Sequence, residues 1–287
     1  MTYYLREQSI WEMIWNSFSI YVRYFSTFFT YSLLLFPFSY YSNFLFLKEE
    51  LEIEEVIVFS ILYWFVFTLS LAVINILISD IYLGNKPDLL RSCKQVFKIT
   101  FIIKLLYTYL LVLVVVFTGV IGVLLFIFII LAFIFIFIFM LDFVSFEFIT
   151  LLSSIAIEAA LAAAFIFTFL WVLFFVHVVT FEGIWGIDAL KRSKTLGENY
   201  YLRNFFIFIM ATVIGSLVIV LLIKIGGETV NILGLLNYWM IVESLMLSLI
   251  EFFTTPIFSI FMLLMYYDLR VRKEGYNNNA LAEDLKH

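Results

Sequence analysis

The sequence predicts an all-α protein, a polytopic bundle of about six transmembrane helices with interfacial amphipathic helices. Its 287 residues are 64% hydrophobic and only 14% charged, whereas soluble domains are roughly 45–50% apolar and about 25% charged. Long uncharged runs recur along the chain, and each can supply the roughly 20 residues that a membrane-crossing helix needs. Basic residues collect in every second connection between these runs, which is the pattern of a multi-pass protein.

Six hydrophobic runs define the predicted membrane spans within a single integral membrane domain, residues 1–287. Helices are the expected spanning form, because backbone N–H and C=O groups must be hydrogen bonded within each segment. The alternating pattern of a membrane β-barrel, in strands of roughly ten residues, is not found. The predicted spans cover residues 24–47, 56–79, 105–141, 148–180, 204–225 and 238–267.

The distribution of charge predicts how these spans are oriented. Fourteen of the seventeen basic residues lie in 1–23, 80–98, 181–203 and 268–287. The other connections are acidic or neutral, among them the run KEELEIEE at 48–55. Because lysine and arginine collect on the cytoplasmic side of membrane proteins, we expect both termini in the cytoplasm and the chain in the inner (plasma) membrane.

The run 105–141 is the longest, with 37 residues and no charge. As one helix it would extend roughly 55 Å, nearly twice the hydrocarbon thickness of about 30 Å. Two spans there would put 80–98 and 181–203 on opposite sides of the membrane. We therefore predict one long helix, tilted or bent near Gly119 and Gly122, with seven or eight spans in total as the alternatives.

Two polar segments predict helices that lie on the membrane surface. In the first, Ile10, Ile14, Phe18 and Tyr21 follow one helical face; an ordinary cytoplasmic extension of the first span is the alternative. The second, FEGIWGIDALKRSKTLGENYY at 181–201, is charged and bracketed by glycines, and we expect it near anionic headgroups. The cations predicted to contact lipid or a partner are Lys191, Arg192, Lys194, Arg270, Arg272 and Lys273.

Ionisable residues inside spans are candidates for function, because each costs a few kcal/mol on insertion scales. Glu251 lies halfway along the last run, shares a helical face with Ser248 and Thr255, and is followed by Pro256, which invites a kink. The alternative is a protonated carboxyl that hydrogen bonds to hydroxyls and only stabilises the bundle. The predicted intramembrane polar site comprises Glu251, Glu243, Glu158, Ser248, Thr255 and His177.

Four segments carry motifs of a known family. VVTFEGIWGIDALKRSKTLGENYYLRNF has a Glu-Gly pair before an Ala-Leu-x-Arg-Ser-like helix, and MYYDLRVRKEGYNNNALAEDL has a Tyr-Tyr-Asp-x-Arg-x-Arg-x-Glu-Gly run. SIWEMIWNSFSIYVRYFSTFF and DIYLGNKPDLLRSCKQVFK fit the entry segment and a later loop. Over most of its length the chain thus resembles a bacterial family of uncharacterised multi-spanning proteins related to the membrane domain of glycerophosphoryl diester phosphodiesterase. The motif residues are Glu182, Gly183, Ser193 and Asp268.

The resemblance implies a multi-spanning membrane fold, with one departure from the family pattern. The family commonly has a Pro-Gly step in its middle spans, but this sequence has no proline between Pro87 and Pro256. The family name also invites an enzyme interpretation. A glycerophosphodiesterase catalytic domain is a soluble barrel with metal-binding carboxylates and paired histidines. This chain has two histidines, His177 and His287, and no nucleophile-elbow, zinc-protease or P-loop motif.

We therefore expect a non-enzymatic membrane protein, namely a scaffold, a partner subunit or an envelope-maintenance factor. No cofactor and no metal are predicted. The expected partners are membrane lipids and another membrane protein or a second copy of the chain, and the net charge of −5 argues against nucleic acid. The alternative is a small-solute or lipid transporter that uses the intramembrane glutamates, although inverted repeats, which would favour it, are not evident.

Overall fold

The computed structural model describes residues 3–47, 53–139, 171–207, 209, 224 and 239–285. These residues form helices joined by short turns, without a β-strand in the described ranges, and the predicted all-α class is confirmed. The helices are α1 (Ile10–Arg23), α2 (Phe25–Leu47), α3 (Ile53–Tyr82), α4 (Leu89–Val96), α5 (Ile99–Phe139), the single turn α6 (Phe175–His177), a π-helical turn (Val178–Glu182), α7 (Ile187–Gly197), α8 (Trp239–Glu274) and α9 (Asn278–Asp284).

Three of the described helices are long and apolar enough to cross a membrane, judged by length and composition, which supports the predicted membrane location. These stretches are Glu54–Tyr82 in α3, Ile99–Gly119 in α5 and Met240–Glu274 in α8. Helix α2 coincides with the predicted span 24–47 but is not among the three, since Ser, Thr, Tyr and Asn residues interrupt its apolar ones. The predicted spans 148–180 and 204–225, with Glu158, lie largely outside the described residues.

Helix α5 runs without interruption through the long charge-free run. It has 41 residues and continues through Gly119 and Gly122, so at 1.5 Å per residue it is about 60 Å long. The prediction of one long helix in this region is confirmed as far as Phe139. Because this length is about twice the hydrocarbon thickness, α5 must tilt strongly or extend beyond the bilayer.

Helix α1 begins with a capping box. The Ser9 hydroxyl accepts the Glu12 N–H at 3.3 Å, and the Glu12 carboxylate accepts the Ser9 N–H at 2.9 Å. Its buried face packs on α8 and consists of Met13, Ser17, Ile20 and Tyr21. Of the four residues on the predicted apolar face, Tyr21 is buried, Ile10 and Ile14 are half-buried, and Phe18 is 50% exposed. The exposed face holds Trp11, Trp15, Phe18 and Val22.

Helix α8 packs on four other described helices. Its longest interface is with α2, and it also packs on α1, α3 and α7. Toward its C-terminal end it meets a cluster of fully buried aromatic rings from several segments. Tyr266 and Tyr267 of α8 lie beside Tyr82 of α3 and beside Phe174 and Phe181 before α7.

The turn before α7 depends on glycine. Gly183 ends the π-helical turn with φ +64°, and Gly186 has φ +70°, a region that β-carbon sterics disfavour for other residues. A Cβ at Gly186 would lie 2.9 Å from a ring carbon of Tyr107. The Gly186 N–H donates to the Thr108 hydroxyl at 2.8 Å. The glycine therefore allows α7 to start in direct contact with α5.

Candidate functional site

A row of polar side chains runs along the interface between α2 and α8. On α8, Ser248 is completely buried, and its hydroxyl donates to the Ser244 carbonyl at 2.6 Å. The Asn43 side chain of α2 donates to the same Ser248 oxygen at 3.1 Å. Ser248 therefore has both a donor and an acceptor partner, as a buried hydroxyl requires. The stripe predicted on the last span is thus in contact with a matching stripe on α2.

The Glu251 carboxylate on α8 contacts side chains of both α2 and α3. Its Oε2 accepts a hydrogen bond from the Ser39 hydroxyl of α2 and another, at 3.2 Å, from the Tyr63 hydroxyl of α3. Hydroxyl donors of this kind stabilise a carboxylate that would otherwise be poorly solvated in the bundle. The sequence identified Glu251 but not Ser39 or Tyr63, which are 212 and 188 positions away.

A small cavity of about 20 Å³ lies beside the Glu251 carboxylate. A cavity of this size holds roughly one water molecule. Half of its lining residues carry a side-chain oxygen, and the rest are apolar. The oxygen-bearing residues are Ser32, Ser39, Tyr63, Ser248, Glu251 and Thr255.

Two other described residues of the predicted intramembrane site, Glu243 and His177, do not line this cavity. Glu243 lies two turns before Glu251 on α8 and does not line the cavity. His177 is 1% exposed and stacks on the Tyr266 ring, with centroids 5.2 Å apart, within the aromatic cluster. Glu158 is outside the described residues. The structure thus brings together Glu251, Ser248 and Thr255 and separates them from His177.

A second polar site, the end network, surrounds Asp268 near the C-terminal end of α8. The Asp268 side chain is fully buried and accepts hydrogen bonds from three separate segments. The Gln8 N–H donates at 2.7 Å, Arg203 at 2.6 Å and Arg272 at 2.9 Å. Arg272 also pairs with Glu7 at 2.7 Å. One carboxylate therefore holds the N-terminal segment, the stretch after α7 and α8 together.

Glu182 has a similar role in the other half of the end network. Its carboxylate accepts from Arg192 at 2.7 Å and from the Tyr266 hydroxyl at 2.9 Å. Arg192 also pairs with Glu274, which in turn pairs with Arg270. Burial by itself would lower the pKa of Arg192, but its hydrogen bonds and charge interactions with Glu182 and Glu274 together outweigh this and raise that pKa. Arg192 therefore stays protonated and positively charged.

The C-terminal helix α9 joins the end network through Asp284 and Asn278. Asp284 accepts from Arg270 and from the Tyr276 hydroxyl, both at 2.6 Å, and the Arg270 guanidinium lies 3.7 Å from the Tyr276 ring centroid. The Asn278 side chain accepts the Leu5 N–H at 3.0 Å and donates to the carbonyl oxygens of Tyr3 and Tyr82. The two ends of the chain are thus in direct contact beside the end of α3.

Most of the cations that were predicted to contact lipid or a partner form contacts within the chain. Arg192, Arg270 and Arg272 form ion pairs within the chain, with side chains only 10–26% exposed. Lys194 lies 4.3 Å from the Trp171 ring centroid, and Lys273 donates to the Thr195 carbonyl. Lys191 has 72% of its side chain exposed and pairs with Asp188 at 3.5 Å. These cations therefore have contacts within the chain, and their contact with lipid or a partner stays a prediction.

The four family-motif residues all have definite structural roles. Gly183 takes the left-handed conformation at the end of the π-helical turn, and the buried Ser193 hydroxyl accepts the Phe174 N–H at 3.0 Å. Glu182 and Asp268 are the two anionic centres of the end network. Gln8, Arg203 and Asp284 were not identified from the sequence, because their partners are distant in the chain.

The chain matches no protein-family model, no curated protein sequence and no solved structure. The class defined by the structure is a helical protein with helices suited to crossing a membrane. The resemblance drawn from the sequence motifs stays a prediction. No group of three or more histidine, cysteine or acidic side chains in the described ranges could hold a metal ion.

Proposed function

We propose that this chain is a non-enzymatic inner-membrane protein that acts as a scaffold or partner subunit, with the end network as its contact face. The proposal rests on the number of chain segments that are joined through buried charged side chains in the end network. The N-terminal segment, the π-helical turn, α7, the end of α8 and α9 are joined by Asp268, Glu182, Arg192 and Arg270. Such a network holds the surrounding surface in one conformation, which favours a role as a docking site for a partner.

The same contacts support placing all basic segments on one side of the membrane. Gln8 touches Asp268, Arg192 touches Glu274, and the Asn278 side chain donates to the Tyr82 carbonyl at the end of α3. Segments in contact must be in the same compartment, and an even number of crossings must separate them. The positive-inside rule makes that compartment the cytoplasm. A chain with six spans has an even number of crossings between the basic segments and places all of them in the cytoplasm.

Cysteine labelling tests this placement. In a Cys93→Ser background, Lys191→Cys should react with a membrane-impermeant maleimide only after spheroplasts are lysed. Glu54→Cys, at the opposite end of α3, is the matched exposed control and should react in intact spheroplasts. Labelling of Lys191→Cys in intact spheroplasts would contradict the proposed orientation.

Photo-crosslinking tests the scaffold role itself. A photoreactive amino acid placed at Lys191 or at Leu202, which is 75% exposed, should give discrete protein adducts in native membranes. The same group at Leu249 of α8, which is 44% exposed, should give lipid adducts without a discrete protein band. If none of these positions captures protein, the contact-face proposal is wrong. A band whose mass is twice that of the chain would identify a second copy as the partner.

Transport of a small solute or lipid is the second candidate, and the oxygen-lined cavity at Glu251 favours it. Polar cavities beside an intramembrane carboxylate are typical of substrate and ion pathways. In proteoliposomes, Glu251→Gln should abolish flux of a transported solute while leaving the end network intact. Equal flux in wild type and variant would remove Glu251 from any pathway.

A further inference from the structure

The cavity beside Glu251 has the chemistry of a small cation site. Glu251 contributes a carboxylate, and Ser39, Tyr63, Ser32 and Thr255 contribute hydroxyl oxygens from three different helices. Carboxylate, hydroxyl and carbonyl oxygens are the ligands that hard cations prefer. Ser32 and Ser39 are 3% and 5% exposed, whereas Glu251, Tyr63 and Thr255 are half-buried.

Prolines in both main helices lie next to this cavity. The chain has three prolines; Pro37 of α2 lies between the lining residues Phe36 and Phe38, and Pro256 of α8 follows the lining residue Thr255. A proline has no N–H, so the carbonyl four residues earlier loses its helical donor. For Pro256 that carbonyl belongs to Phe252, which also lines the cavity. Both helices continue through their prolines, so the Phe252 carbonyl oxygen is left free of its helical bond within α8 and can serve an ion.

The single acidic side chain at the cavity favours a cation with one positive charge. Glu251 is the one acidic residue among the residues that line it, so a monovalent cation would give a neutral site. A divalent cation would leave a net positive charge in a low-dielectric region, which is costly. The volume of about 20 Å³ leaves no room for a hydrated ion, so the ion must exchange water for protein oxygens.

We propose that the cavity between α2, α3 and α8 binds one dehydrated monovalent cation of the size of Na⁺, with the Glu251 carboxylate and the Ser39, Thr255 and Phe252 oxygens as its ligands. This site goes beyond the scaffold role and does not depend on it. Loss of the cation effect would leave the labelling and crosslinking results unchanged, so the two proposals fail separately.

Thermal unfolding of the full chain in detergent tests the site. N-methylglucamine chloride is replaced stepwise by NaCl at constant ionic strength, and unfolding is followed by tryptophan fluorescence. A ligand that binds only the folded state raises the Tm in a saturable way. We expect a rise of at least about 3 °C at saturation. A Tm that is independent of Na⁺ would overturn the proposal.

Two neighbouring threonines provide a matched pair of variants. Thr255 lines the cavity, whereas the Thr254 hydroxyl donates to the Ile250 carbonyl at 2.9 Å and does not line it. Thr255→Ala should raise the Na⁺ concentration that gives half of the effect by about tenfold, and Thr254→Ala should leave it unchanged. Glu251→Gln should abolish the Na⁺ effect. An equal response in the two threonine variants, or a full Na⁺ effect in Glu251→Gln, would exclude this site.

Discussion

Replacing Asp268 with asparagine removes one negative charge from the end network and keeps the size of the side chain. Asp268 has no exposed side-chain surface, and its arginine partners Arg203 and Arg272 are 22% and 24% exposed. Breaking a buried ion pair by removing one partner costs about 3–5 kcal/mol. Asparagine keeps an oxygen for the Gln8 N–H, and Arg272 keeps Glu7 as a partner. We therefore expect a loss of about 3 kcal/mol in the free energy of unfolding.

The loss should be visible as a fall in the Tm. At about 2–3 °C per kcal/mol for a chain of this size, Asp268→Asn should unfold about 6–9 °C below wild type. Tryptophan fluorescence in detergent micelles can follow the transition, since the chain has six tryptophans. All variants must be compared at one scan rate, because unfolding of such proteins is often irreversible.

Asp188→Asn is the matched control for this measurement. Asp188 pairs with Lys191 at 3.5 Å, but their side chains are 77% and 72% exposed. Exposed pairs of this kind contribute about 0–1 kcal/mol, so the Tm should stay within about 2 °C of wild type. If Asp268→Asn lowers the Tm no more than Asp188→Asn does, Asp268 does not hold the end network together, and the reasoning from burial is wrong.

Two further substitutions have clear expected outcomes in the same assay. Gly186→Ala would place a Cβ 2.9 Å from Tyr107 in an unfavourable φ region and should cost about 2–3 kcal/mol of unfolding free energy. Gly84→Ala, with φ +78° and no neighbour within 4 Å, is the control and should cost about 1 kcal/mol. Equal losses in the two variants would contradict the close approach of Gly186 to Tyr107. Ser193→Ala leaves the buried Phe174 N–H without its acceptor and should cost about 1–3 kcal/mol, while the exposed Thr195→Ala should change stability by under about 0.5 kcal/mol.

The helical class and the membrane location could be predicted because they depend on local properties. A hydrophobic run long enough to span a bilayer has few alternatives to a helix, whatever its neighbours are. The same reasoning predicted one helix through Gly119 and Gly122 and marked Glu251 as an unusual charge. In α2 the polar residues lower the apolarity of the predicted span; Ser32, Ser39 and Ser42 among them are buried, and Asn43 contacts Ser248 of α8.

The role of the cations could not be predicted from charge patterns alone. A basic segment beside a hydrophobic run looks the same whether its guanidiniums meet lipid headgroups or buried carboxylates. Arg192 and Arg272 meet Glu182, Asp268 and Glu7, which come from other parts of the chain. The face of α1 that packs on α8 could not be chosen from the sequence for a related reason: apolar residues occupy both of its faces, and Met13 and Ser17 are among the buried ones.

By itself the sequence determined the helical membrane class, the long α5 and the position of an ionisable residue inside a span, because hydropathy and charge act within a single segment. Only the tertiary structure decided which groups share a site. Ser39 and Tyr63 reach Glu251 from two other helices, and Gln8 and Arg203 reach Asp268 across the chain. The physical reason is that a buried charge requires several donors at once, and one helix can place few of them around a single carboxylate.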